Sequence, residues 1–197
     1  MSLPAFRKMN LRYPLILASK SPRRRQILAD AGFQFTLKIK EVDESHPPMA
    51  PELVPTWLAE KKAWETGREL QETLVLCADT IVLLDNEILG KPSSFDEAED
   101  MLGRLSGRSH EVITGVCVLL NDERYVFSDL SLVYFRNLHT YEIKQYVESG
   151  LADDKAGAYG VQDWLGMVAV EKIVGSYFNV MGLPIHKVYA YLSRFAM

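Results

Sequence analysis

Apolar and polar positions along this chain follow two periods in turn, one of strands and one of helices. Pro14–Ser19 reads as a buried strand. Ser21 then offers an N-cap with Pro22 at the first helical position. Ile27, Leu28 and Ala31 follow at helical spacing, and Gly32 closes the helix. Phe35–Lys40 reads as a second strand, and a helical pattern runs from near Pro51 to about Gly67. Leu74–Leu84 is a long strand-like run that Asp79-Thr80 interrupts. Asp85-Asn86 is a turn signal, after which Glu87–Leu89 pairs back. Ser94-Phe95-Asp96-Glu97 has the form of a capping box and opens a helix that ends near Ser106-Gly107. Glu111–Leu120 and Tyr125–Tyr134 read as strands of a hairpin joined by Asn121–Arg124. Thr140–Glu148 is a short helix before Gly150, and Val168–Val174 a strand. Pro184 opens a last helix with Leu183, Val188 and Leu192 on one face. Strands alternating with helices imply an α/β class. With no internal repeat and no Gly/Ser linker, residues 1–197 read as one domain with two lobes.

The composition fits that picture. Of the 197 residues, 48% are hydrophobic and 24% charged, which excludes disorder as the main state. The 22 basic and 26 acidic side chains leave a net charge of −4, against a role in coating nucleic acid or an anionic membrane. Cys77 and Cys117 sit inside apolar runs and read as reduced core thiols; they make neither a disulfide framework nor a zinc spacing. The apolar run Leu15–Ala18 is too short for a signal peptide, and no run is long enough to span a membrane, so a cytoplasmic location is expected.

Four places could carry chemistry. In Ser19-Lys20-Ser21-Pro22-Arg23-Arg24-Arg25, four cations crowd a helix start in an acidic protein. Unpaired N–H groups there favour an anion, with triphosphate the obvious one; a solvated basic helix start is the plainer alternative. The Gly-rich frame of a P-loop is absent. Asp79 interrupts an apolar run, so it is a turn cap, a metal ligand or a general base. Lys91, between Gly90 and Pro92, could be aimed at a phosphate. Lys61-Lys62 lies on a helix, and Glu41, Asp43 and Glu44 form an acidic group of the kind that suits Mg²⁺. The stretch 154–162 has two glycines for close backbone approach, and Gln162 carries both a donor and an acceptor for a base edge. His46, His110, His139 and His186 show no ligand spacing.

In their order these pieces resemble the Maf family of nucleoside triphosphate pyrophosphatases, also called septum-formation inhibitors. The matching stretches are Ala18-Ser19-Lys20-Ser21-Pro22-Arg23-Arg24, Ala78-Asp79-Thr80, Gly90-Lys91-Pro92, Leu105-Ser106-Gly107, Thr114-Gly115-Val116, Asp154-Lys155-Ala156-Gly157-Ala158-Tyr159-Gly160 and Val180-Met181-Gly182-Leu183-Pro184. The resemblance implies a mixed twisted sheet flanked by helices with a central cleft, related to the inosine-triphosphate pyrophosphatases. It implies hydrolysis of a nucleoside triphosphate to monophosphate and pyrophosphate with a divalent metal, Mg²⁺ or Mn²⁺, and a homodimer. Arg23, Thr80 and Gln162 stand at positions typical of the subgroup acting on dTTP and UTP. The alternatives are a 7-methyl-GTP pyrophosphatase and a nucleotide-binding regulator of cell division. Asp163 stands where the family usually has Gly, and Lys20 where a small or acidic residue is common.

The residues and the resemblance together give one expected scheme. Ser19, Ser21 and the helix start hold the triphosphate, and Arg23, Arg24, Lys91 and Lys62 neutralise it. Asp79 binds the metal or takes a proton from the attacking water, with Glu44 as second metal ligand, and Gln162 pairs with uracil or thymine.

Overall fold

The computed structural model describes residues 8–197. Seven strands form one mixed sheet: β1 (Leu15–Leu17), β2 (Thr36–Leu37), β3 (Leu74–Leu84), β4 (Glu87–Leu89), β5 (Ser109–Leu120), β6 (Glu123–Phe135) and β7 (Val170–Val174). Their order is β2-β1-β3-β5-β6-β7, with β4 also on β3. β1 runs parallel to β2 and β3, whereas β3–β4 and β6–β7 are antiparallel. The helices are α1 (Pro22–Asp30), α2 (Val54–Gly67), α3 (Phe95–Leu105), α4 (Thr140–Glu148), α5 (Trp164–Ala169), α6 (Tyr177–Val180) and α7 (Ile185–Leu192). None of the described helices is long and apolar enough to cross a membrane. The α/β class expected from the alternating elements and the mixed sheet that the resemblance implies are the ones observed.

The chain divides into two compact units, with divisions that fall inside β3, β5 and β6 and between α6 and α7. In the first (8–79, 114–128 and 182–197), α2 lies on β3 and β5. Ala59 and Ala63 of the helix meet Val75 and Cys77 of β3 and Cys117 and Leu119 of β5. The spacing is four on the helix and two on the strands, the periods that keep side chains on one face. Small residues let the helix approach closely. A Cβ on Gly115 would lie 2.2 Å from the backbone of Pro55 and Thr56, and one on Gly67 would lie 2.7 Å from Leu119. Both cysteines are free and buried; burial raises both thiols, Cys117 to about 12.

In the second unit (80–113 and 129–181), Leu102 and Leu105 of α3, Tyr146 and Val147 of α4 and Leu165 and Ala169 of α5 share a core with Val82 and Leu84 of β3 and with Val133 and Phe135 of β6. Gly157, at φ +68°, brings the loop before α5 against Val82, where a Cβ would stand 3.0 Å from that side chain.

Several local signals act as expected. Ser21 caps α1, its hydroxyl accepting from the Arg24 N–H, with Pro22 first in the helix. Ser94 caps α3 by accepting from the Glu97 N–H, but Glu97 returns its carboxylate to the Ser93 N–H instead of to Ser94. Three expectations need correction. β3 is continuous through Asp79-Thr80, because both residues keep extended backbone inside the sheet. The second strand is only Thr36–Leu37, since β1 offers it a ladder of two residues. Val168 and Ala169 close α5, so the last strand begins at Val170; the apolar segment Trp164–Ala169 reads equally as helix or strand by periodicity.

Candidate active site

The packing of α2 on β3 explains the first unit's charge cluster. Ala59, Lys62 and Ala63 share a helix face, and Val75, Cys77 and Asp79 share a strand face. The apolar members meet in the core, and the charged members meet at its edge. Lys62 Nζ donates to Asp79 Oδ1 at 2.6 Å and lies 2.8 Å from Glu44 Oε1. Side-chain exposures of 18% for Lys62 and 15% for Asp79, against 63% for Glu44, make this a sheltered pair with one carboxylate reaching in from outside. Burial opposes the Lys62 charge, yet Asp79 and then Glu44 outweigh it, and its pKa is raised.

The start of α1 belongs to the same unit. Ser19 Oγ accepts from the Ser21 N–H at 3.2 Å and from Arg24 Nη1 at 3.4 Å. Arg24 Nε donates to the Gly182 carbonyl at 2.7 Å, which ties this helix to the Gly182-Leu183-Pro184 turn. Burial lowers the Arg24 pKa; Asp79 and Glu44 oppose it, and Arg23 adds to it. Arg24 is thus an electrostatic neighbour of Asp79, Glu44 and Arg23. Of the residues expected to work together, Ser19, Ser21 and Arg24 are joined by hydrogen bonds, Asp79, Glu44 and Lys62 are joined by ion pairs, and Arg24 feels the charges of Asp79, Glu44 and Arg23.

The acidic stretch closes on lysines: Glu41 pairs with Lys20 at 2.8 Å, Asp43 with Lys61 at 3.6 Å and Glu44 with Lys62. Lys20, expected near the phosphates, is therefore engaged by Glu41 on the surface.

Thr80, Lys91 and Gln162 lie in the second unit. Thr80 follows Asp79 on β3, on the opposite strand face by alternation. Lys91 is exposed beside Gly90, whose carbonyl accepts from the Gly157 N–H at 3.0 Å; the loops carrying Lys91 and Gln162 are thereby joined. Gln162 Nε2 donates to Asp163 Oδ1 at 3.0 Å, and its Oε1 is buried without a hydrogen-bond partner among the described residues. Sequence reasoning missed what surrounds it. Asp163 Oδ2 accepts from the Tyr146 hydroxyl at 3.0 Å and lies 3.2 Å from Lys155 Nζ. The only signal was a carboxylate beside Gln162.

Among the described residues no three His, Cys, Asp or Glu side chains are grouped to hold a metal. Mg²⁺, however, characteristically takes one or two carboxylates and completes its shell with water and substrate phosphates. Asp79 and Glu44 already converge on one cation, the Lys62 ammonium, so the donor set fits a metal shared with a polyphosphate.

The fold resembles two solved structures. A Ham1 protein from Staphylococcus aureus aligns over 92% of this chain and 98% of its own, with a TM-score of 0.52 at 15% identity. A HAM1 protein from Coxiella burnetii covers 92% and 99%, with a TM-score of 0.50 at 13% identity. Sequence relatives are nearer. A dTTP/UTP pyrophosphatase of Syntrophomonas wolfei is 48% identical over 181 residues, 90% of this chain and 95% of that protein. Those of Cytophaga hutchinsonii (44% over 174 residues, 88% and 80%) and Porphyromonas gingivalis (43% over 189 residues, 93% and 95%) are similar in kind. The family model described as Maf-like protein matches residues 14–195. That span takes in the α1 start, the Asp79–Lys62 pair and the Gln162 loop alike, and the chain belongs to the Maf family.

Proposed function

We propose that this protein is a nucleoside triphosphate pyrophosphatase that hydrolyses dTTP and UTP to the monophosphate and pyrophosphate. The observation that carries the reading is the Lys62 ammonium held between Asp79 and Glu44, beside the Arg24 helix start, in a chain whose relatives at 43–48% identity bear the name dTTP/UTP pyrophosphatase.

Hydrolysis of this kind depends mainly on positioning and on stabilising charge as it develops. Arg23, Arg24 and Lys91 neutralise the triphosphate, with Ser19 and Ser21 orienting the helix start. Asp79 and Glu44 would hold a divalent cation, which supplies further charge neutralisation when bound. Lys62 fixes the Asp79 carboxylate, and Asp79 takes the proton of the water that attacks the α-phosphorus; pyrophosphate leaves. Gln162 reads the base: its buried Oε1 accepts from the N3–H that uracil and thymine carry.

The test is steady-state hydrolysis of dTTP, UTP, CTP, 7-methyl-GTP and the common purine triphosphates, with products identified and Asp79→Asn beside wild type. Pyrophosphate release from dTTP and UTP that falls by about 10²–10⁴-fold in the variant is the expected result. Near-normal turnover by Asp79→Asn would sink the assignment. Preference for 7-methyl-GTP would replace the substrate, and nucleotide binding without turnover would replace the enzyme by a regulator.

A further inference from the structure

Asp163 stands at the N-cap position of α5 yet makes no side-chain cap there. An aspartate at that position ordinarily accepts from the helix N–H groups. Here its carboxylate turns the other way and is taken up by three groups of its own unit. Oδ1 accepts from Gln162 Nε2 at 3.0 Å, and Oδ2 accepts from the Tyr146 hydroxyl at 3.0 Å with Lys155 Nζ 3.2 Å away. The partners are themselves anchored. Tyr146 is buried in the core of α4, and its oxygen also accepts from the Gly160 N–H at 3.1 Å. Lys155 is buried too, and its ammonium also donates to the Leu151 carbonyl at 2.5 Å and to Asp154 at 2.7 Å.

This arrangement decides which end of the Gln162 amide faces Asp163 and which is turned away from it. An ion-paired carboxylate presents acceptors only, so the amide must turn its NH₂ toward Asp163. The reverse orientation would place two oxygens against each other at about the same separation. Gly160 makes the clamp possible: a Cβ there would lie 2.3 Å from Asp163 Oδ2 and 2.7 Å from Gln162 Nε2. The amide oxygen is left buried and without a partner among the described residues.

We propose that Asp163, held by Lys155 and Tyr146, is a positioning residue that locks the Gln162 amide with its oxygen toward the base and so sets discrimination of uracil and thymine against cytosine. The inference rests on the reading of Gln162 as the base-reading residue. Uracil and thymine present an N3–H donor to that oxygen, whereas cytosine presents an N3 lone pair and would leave both acceptors unpaired. A glutamine free to rotate would serve either base; a locked one serves only the first.

The experiment compares kcat/KM for UTP and CTP in wild type, Asp163→Asn and Tyr146→Phe, each checked for folding by thermal melting. An asparagine offers the Gln162 amide either an oxygen or an NH₂ group, so the lock is lost while the shape is kept. The UTP-over-CTP ratio should fall roughly 10-fold or more in Asp163→Asn, and in the same direction in Tyr146→Phe. If Asp163→Asn does not fold, Tyr146→Phe, which keeps its ring in the core, decides alone. An unchanged ratio, or an equal fall for both nucleotides, overturns the inference while leaving the proposed function standing. A wild-type enzyme with no preference for UTP over CTP refutes the base-reading role of Gln162 itself, and the inference with it.

Discussion

Acidification should destabilise this protein through His110. The imidazole is 2% exposed, edge-on to the rings of Phe135 and Tyr159. Its Nε2 is hydrogen-bonded to the Tyr159 hydroxyl at 2.7 Å, and its Nδ1 is buried without a partner among the described residues. Burial lowers the pKa from 6.5 to about 4. The folded state therefore prefers the neutral ring, and the unfolded chain takes up the proton first. The resulting stability is fully present above pH 6.5, is lost as the pH falls through that value and levels off below about 4. The whole effect is about 3 kcal/mol, and linkage places about 2 kcal/mol of it between pH 8 and pH 5. Urea unfolding at several pH values, for wild type and His110→Gln, measures it. The glutamine keeps a polar partner for Tyr159 and does not titrate, so the stability gap between the two proteins should change by about 2 kcal/mol over that range. A gap independent of pH, or an imidazole that titrates in the folded protein near 6.5, would refute the reasoning.

Two further perturbations test the machinery that positions the site. Gly115→Ala forces a methyl group against the Pro55–Thr56 backbone, 2.2 Å away, so the start of α2 must move. The expected cost is about 1–3 kcal/mol, read as a lower melting temperature at about 2–4 °C per kcal/mol; an unchanged melting temperature would mean that α2 does not sit so close. Lys62→Met removes the cation that Asp79 and Glu44 share at 2.6 and 2.8 Å. Turnover of dTTP should fall by roughly 10²-fold, with a melting temperature reduced by the few degrees that an unpaired, sheltered Asp79 implies. Wild-type turnover in that variant would show that the ion pair is only structural.

The features legible in the chain were those decided within a few residues. Ser21-Pro22 marks the start of α1, and Ser94 that of α3, because an N-cap needs only a side-chain oxygen three residues before the N–H that it accepts from. Asp85-Asn86 and Asn121 take positive φ in the turns where they were expected. α4 runs over the residues read for it, Thr140–Glu148. Where local preference was balanced, reading failed. The polar pair Asp79-Thr80 looked like an interruption, but a sheet supplies backbone partners whatever the side chains are, and β3 continues. Trp164–Ala169 has no period long enough to separate helix from strand, and the protein makes it α5.

For the site, the sequence by itself supplied the candidates: the cations at the α1 start, Asp79 within an apolar run, the pair Lys61-Lys62, the acidic group Glu41, Asp43 and Glu44, and Gln162. Only the tertiary structure decided the pairings. Lys62 meets Asp79 across 17 residues because Gly115 and the small face of α2 bring that helix onto β3. Asp163 meets Tyr146 across 17 residues and orients its own neighbour Gln162. A hydrogen bond reports on atoms within about 3 Å, and a distance that short between residues so far apart in the chain depends on the packing of every element between them.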